Sequence, residues 1–502
     1  MTALETPGRA APRLPAAAWD WAALSLAAIT LFAALAIALA RLDAGPWMDE
    51  FNTIVTTLQG FSIRDYLDRA LRGQHPALYE GLVYLAQNAG LTSIAALRLL
   101  NLLGAPIVLA TAWSAWRCGA VSPAQVAIVV ALYASSANFV NYAPAVRPYF
   151  LMYSASIAAA LAWRTLARDG AAKRALIFWG LSLFVFANVH YFATILGGLM
   201  TIAALVAPLR TRRWRDATRI AGVSLLAAAP ALLMGLAQAG YTTTAGVLYY
   251  YPAGLAFALK TAQAAIAAAF AANWPAALLA LALPVLPRLR RAPSSAAADG
   301  WALWAIALSF FALVIALHLI KPMIWERYLM AAAGAILVGA ALLAGDSRGP
   351  RWVAPLVCLY ALFALFATAK ASPPAAGWSI SAAEVARRAQ TCRDTRVLAV
   401  PYARVSNGPV WSTPLNPTEI EARNYGYRYY ARRYGFSFTE LKPRDRVAPP
   451  SGPCPTLIWI EHFWAGEPTA QALLRNLEID GPPSAVYERI GSGVIVTAPP
   501  AR

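Results

Sequence analysis

Long apolar runs separated by short polar or basic loops dominate the first 370 residues of the chain. Residues 21–40 carry no charge and meet the about 20 apolar residues that a membrane-spanning helix needs. Further runs follow at roughly 99–116, 121–141, 148–163, 175–189, 191–209, 220–237, 262–287, 301–320, 328–345 and 352–369, which predicts eleven spans. The 262–287 run is interrupted by Pro275. Residues 42–98 break the pattern, being too polar for a span and too apolar for an ordinary loop. Within them, 49–72 and 75–89 have helical spacing with mixed faces, which predicts amphipathic helices lying on the membrane surface. The competing reading, in which 75–90 is itself a short span, would invert every later loop and put the basic ones outside, against the charge rule.

After residue 370 the pattern changes to short helical and strand-like segments. Residues 381–390 and 468–477 read as helices, 396–400 and 456–463 as strands, and 416–435 as a helix with Asn416 as a possible cap. AVYERIG and GVIVTA read as a hairpin closed at Gly491–Gly493. The expected architecture is a polytopic helical membrane domain (1–370) followed by a small soluble α/β domain (371–502).

Composition supports this division. Hydrophobic residues make up 59% of the chain and charged residues 13%, where a soluble surface needs about 25%. A cytosolic enzyme, a disordered chain and a collagen-like fibre are excluded. The first 370 residues hold 40 charges and the last 132 hold 26. Net charge is +18, but most of the excess lies in short loops between apolar runs. That is the positive-inside pattern rather than a nucleic-acid groove. With eleven spans, the N-terminal tail and one set of loops hold 17 of the 27 basic residues of the membrane part, which makes that side cytoplasmic. Residues 42–98 and the C-terminal domain then lie outside. Cys392 and Cys454 both fall in that domain, and two cysteines in an oxidising compartment can pair. No Cys/His cluster suggests a metal site.

The rare polar residues of the membrane part carry the candidate chemistry. Six of its thirteen acids fall within 42–80, and Asp49–Glu50 stands close to the first span in GPWMDEFNT. A carboxylate there can be a general base or a metal ligand, or a solvated loop acid. His75 opens HPALYE and could present an imidazole to an anion, or merely start a helix. Arg147 follows 29 uncharged residues and precedes a proline. An anionic head group would suit it, as would snorkelling to the interface. His190 and Tyr191 fall at a tight reversal between spans. Lys321, Glu326, Arg327 and Tyr328 share a short turn whose cations suit phosphate, or are ordinary flanking charge. With eleven spans, all these groups reach one membrane face, the non-cytoplasmic one. An acid and several cations there could take a proton from an acceptor hydroxyl and hold a departing phosphate.

The order WMDE, HPALY, RPY, HYF and ERYL resembles that of bacterial membrane glycosyltransferases of the GT-C superfamily, relatives of the protein O-mannosyltransferases and of the aminoarabinose and galacturonic acid transferases. The resemblance covers residues 20–370. It implies an inverting transferase of the bacterial inner membrane, with a polyprenyl-phosphate sugar as donor and a lipid, glycan or protein as acceptor. Asp49 then resembles the catalytic base, with Glu50 beside it. His75, Arg147, Lys321 and Arg327 would serve the donor phosphate, with Tyr149, His190, Tyr191 and Tyr328 nearby. No cofactor is required, although a divalent metal is compatible with the pattern. Relatives often carry an acid two residues before the arginine, where this chain has Ala145. That weakens a metal-bridged mechanism. Rival readings are a polyprenyl-glycan flippase or other transporter, an O-antigen ligase or polymerase, and a non-catalytic scaffold.

Overall fold

The computed structural model describes residues 16–73, 75–244, 253–270, 294–345, 350–372, 377–402, 417–448, 450, 452–461, 469–482 and 484–500. The N-terminal part runs α1 (Ala16–Ala40), α2 (Met48–Thr56), α3 (Ile63–Leu71) and α4 (Leu78–Asn88). Then come α5 (Ile94–Arg117), α6 (Pro123–Ser135), α7 (Ala137–Tyr142), α8 (Tyr149–Asp169), α9 (Lys173–Val189), α10 (Tyr191–Arg210) and α11 (Trp214–Thr244). The bundle closes with α12 (Leu255–Ala269), α13 (Ser295–Ile320), α14 (Glu326–Ala344) and α15 (Val353–Ala371).

Eight of the described helices (α1, α5, α8, α10, α11, α13, α14 and α15) are long and apolar enough to cross a membrane. The other three expected spans take different forms. The 121–141 run divides at Ser136, whose backbone is extended and whose hydroxyl caps α7 by accepting from Phe139 N–H. The 175–189 run is the 17-residue α9. The 262–287 run overlaps α12, and its remainder, Pro275 included, lies outside the described residues. Large apolar side chains such as Leu226 (77% exposed) and Ile320 (83%) stand bare on the span helices, as lipid-facing residues do. The protein is a multi-pass helical membrane protein.

At the centre stands α8, buried along nearly its whole length and packed against α5, α9 and α14. Its small residues permit close approach, the usual device where lipid supplies no hydrophobic drive. A Cβ at Gly334 of α14 would land on the Ser156 carbonyl group of α8, and Gly334 N–H donates to Ser156 Oγ at 3.0 Å. This contact fixes α14, and with it Arg327, against α8. Near the opposite end of α8, Arg164 pairs with Asp299 of α13.

Residues 42–98 form α2, α3 and α4 before the span α5. The expected helix at 49–72 is two helices, broken near Gly60, whose φ is +89°. Ser62 and Asp65 then cap α3 reciprocally. At 11 residues, α4 is about 16 Å long and too short to span.

The C-terminal domain contains α16 (Gly377–Thr391), β1 (Arg396–Ala399), α17 (Pro417–Tyr434), β2 (Thr439–Glu440), β3 (Thr456–Ile460), α18 (Ala470–Asn476), β4 (Val486–Ile490) and β5 (Gly493–Ala498). Asn416, the possible cap of α17, lies outside the described residues. The sheet order is β2-β1-β3-β5-β4, parallel from β2 to β3 and antiparallel beyond. Strands β4 and β5 form a hairpin turning at Gly491, with φ +63°. Because β1 and β3 are parallel neighbours, the residues preceding them emerge at one edge. There Cys392 and Cys454 form a disulfide with a Cα–Cα separation of 5.6 Å. Helix α17 packs directly on α2.

Candidate active site

Adjacent helical residues point about 100° apart, so Asp49 and Glu50 cannot share one environment. Glu50 turns inward and is 0% exposed. Arg98 of α5 grips it through Nε–Oε1 at 2.8 Å and a terminal nitrogen to Oε2 at 2.7 Å. Val146 N–H donates to Oε1 at 2.8 Å and Trp47 N–H to Oε2 at 3.2 Å. Arg98 also donates to the Leu42 and Ala44 carbonyls, both at 2.6 Å. Glu50, expected beside Asp49 as a second reactive acid, is instead a joint fastening α2 to α5 and to the loop before Arg147.

Asp49 turns the other way, and its side chain is 18% exposed. Its Oδ2 lies 3.1 Å from an Arg327 nitrogen and 3.8 Å from an Arg147 nitrogen. Arg147 is held to α2 by donating to the Asp49 carbonyl at 3.1 Å and to Thr53 Oγ1 at 3.0 Å. It also donates to Tyr149 OH at 3.3 Å and stands 3.2 Å from His75 Nε2. The Arg327 guanidinium lies among the rings of Trp47, Tyr149, Trp325 and Tyr328, 5.2 to 5.8 Å from their centroids. His190 is 4.8 Å from the His75 ring and 5.0 Å from that of Tyr328. Asp49, His75, Arg147, Tyr149, His190, Arg327 and Tyr328, scattered over 280 positions of the chain, thus form one cluster at one end of the bundle.

Two expected members stand apart. Lys321, at the C-terminus of α13, is exposed and makes no side-chain hydrogen bond or ion pair with the cluster among the described residues. Tyr191 acts at one remove. Its hydroxyl donates to Gln238 Oε1 at 2.7 Å, and the Gln238 amide donates to the carbonyls of Ala70 (2.8 Å) and His75 (3.1 Å). Sequence reading missed Gln238, Arg98 and Asn101. The Asn101 amide holds the carbonyls of Tyr142, Ala145 and Arg147. Each sits near a predicted span end, where a polar residue looks like ordinary flanking. Ala145 itself is buried.

Burial, with the neighbouring guanidinium groups, drives the two imidazoles toward the neutral form: His75 well below its usual range and His190 down to about 3. Arginine only donates, so His75 Nε2 must accept and its proton sits on Nδ1. His190 Nδ1 accepts from Phe192 N–H at 3.3 Å, which places its proton on Nε2. Those two protonated nitrogens, and the Nε atoms of Arg147 and Arg327, are buried without a hydrogen-bond partner among the described residues. Each buried donor left unmade costs about 1–3 kcal/mol, and an oxyanion acceptor would relieve such a cost. Nearby Glu80 of α4 is also buried, which pushes its carboxyl up to about 7. No three His, Cys, Asp or Glu side chains gather to hold a metal among the described residues.

No protein-family model matches the chain, and no curated protein does. Among solved structures, ArnT from Cupriavidus metallidurans in the apo state is similar at a TM-score of 0.52 and 12% identity, over 96% of this chain and 98% of that one. ArnT from the same organism bound to undecaprenyl phosphate aligns at a TM-score of 0.49 and 12% identity, over 94% and 97%. With the apo structure matched over nearly the whole length of both chains, this protein has the ArnT-like fold, a helical membrane bundle with a small C-terminal sheet domain.

Proposed function

We propose that the protein is an inverting glycosyltransferase that moves a sugar from a polyprenyl-phosphate donor to an acceptor hydroxyl at the outer face of a bacterial inner membrane. The carrying observation is the placement of Asp49 between Arg147 and Arg327 beside buried, unsatisfied N–H donors. The motif order and the ArnT-like fold support the same reading.

In this mechanism Asp49 removes the proton from the acceptor hydroxyl. The acceptor oxygen attacks the anomeric carbon from the face opposite the phosphate. The carbon–oxygen bond to the phosphate breaks, and its electron pair stays on the leaving phosphate. Arg147, Arg327 and the N–H groups of neutral His75 and His190 receive that growing charge. Glu50 takes no proton and keeps Arg147 at the right height. The basic loops at 164–174 and 210–219 lie at the other ends of the span helices, and by the charge rule this supports reading the cluster's side as the non-cytoplasmic one. A transporter would favour polar groups in mid-span. The gathering of charges at one end favours transfer over transport.

The test is Asp49→Asn, assayed with labelled polyprenyl-phosphate sugars and the purified protein. Transfer should fall about 100- to 10,000-fold, while expression and membrane insertion stay normal. Near-normal turnover would remove Asp49 as the base. Arg147→Ala should raise the donor KM more than the acceptor KM.

A further inference from the structure

The C-terminal domain touches the segment that carries Asp49 at several points. Phe51, two residues beyond Asp49 and 0% exposed, is boxed by Trp378, Tyr425, Tyr429 and Tyr430, with ring centroids 5.5, 5.8, 5.9 and 6.1 Å away. Three of these rings come from α17 and one from α16. The Tyr430 hydroxyl donates to the Pro46 carbonyl at 2.7 Å, just ahead of α2. Arg433 donates to the Asp43 carbonyl at 3.2 Å, and Glu421 pairs with Arg69 of α3 at 2.9 Å. The box leaves no slack. A Cβ at Gly426 would stand 2.7 Å from Trp378 and 2.8 Å from Phe51.

On its other side α2 is gripped by the bundle, through Glu50–Arg98 and through Arg147 at the Asp49 carbonyl. A domain that was only tethered would need none of these contacts. A nine-residue helix has little stability of its own, so its position is set by what holds it from both sides. We propose that the C-terminal domain belongs to the catalytic apparatus, holding the Asp49 helix in register through Phe51 and Pro46, with Phe51, Gly426 and Tyr430 as positioning residues. This rests on Asp49 being the base.

The experiment uses the full-length protein in nanodiscs. Gly426→Ala drives a methyl group into the box, and Tyr430→Phe keeps the ring but deletes the bond to Pro46. Each should lower kcat, about tenfold or more for Gly426→Ala and severalfold for Tyr430→Phe, with the donor KM within twofold of wild type. Hydrogen exchange should quicken in residues 48–56 and stay unchanged in 149–169. Phe51→Leu added to Gly426→Ala should make room and recover part of the lost kcat. Unchanged exchange in 48–56, or exchange that quickens through the whole bundle, overturns the proposal, as does an equal loss in kcat and donor affinity. If the wild type transfers no sugar, the functional reading fails, and exchange alone still decides whether the domain clamps α2.

Discussion

Asp49 and Glu50 show how one step along a helix separates two acids of the same type. Asp49 faces two guanidinium groups that leave it partly open, and Glu50 is locked by Arg98. Glu80 is different again, since burial without an ion pair among the described residues raises its carboxyl to about 7 from an ordinary 4.5. The folded state therefore holds that proton more tightly than the unfolded chain. Ionising Glu80 costs stability progressively between about pH 4.5 and 7, and the full cost persists above that, on the order of 3 kcal/mol. Glu80→Gln removes the dependence. The melting temperature of the variant should therefore rise relative to wild type as pH increases through that window, then level off; a constant difference would mean that Glu80 does not titrate there. Sequence alone made Asp49, His75, Arg147 and Arg327 legible, because each is a rare polar residue beside an apolar run. It could not separate Glu50 from Asp49, since their difference lies in which way each side chain turns. Nor could it show that Lys321 stays out, because charge near a span end looks the same whether the side chain points in or out.

At the scale of elements, Glu50–Arg98 joins α2, α5 and the loop leading to α8. Arg98→Ala would leave a fully buried carboxylate without its partner, a loss of about 3–5 kcal/mol. Its melting temperature should drop sharply. The double variant Glu50→Gln/Arg98→Gln, which buries no net charge, should recover much of that loss in the same melt yet transfer slowly, because Arg147 is no longer held through Val146. Full activity in the double variant would show that the joint has no part in placing Arg147. Arg98 escaped notice because RLLNLL reads as a span entrance with a flanking cation. The spans were legible as apolar runs, but the division of 121–141 at Ser136 was not, since a serine within an apolar run does not announce a capped break.

For the whole molecule, the small C-terminal sheet domain was readable from the rise in charge density and the short strand-like segments late in the chain, and the hairpin from its two glycines. The seating of α17 on α2 was not, because tyrosines spaced along a helix do not say what they cover. The Cys392–Cys454 bond closes a loop of sequence separation 62, worth about 4 kcal/mol by chain entropy. Cys392→Ser/Cys454→Ser should lower the unfolding temperature of the C-terminal domain. Since that domain grips the Asp49 helix, turnover should become heat-labile in parallel, as measured by assays after brief heating. In the proposed reaction Asp49 takes up the acceptor's proton, so Arg147 and Arg327 face the departing phosphate without their carboxylate counter-ion. The donor of that proposed reaction, a sugar-bearing phosphodiester, carries one negative charge. The spent carrier is a phosphomonoester that reaches nearly two negative charges at neutral pH. It is the better counter-ion, so discharged carrier should outstay the substrate and throttle repeated turnovers, and the brake should ease in mild acid as the monoester regains its proton.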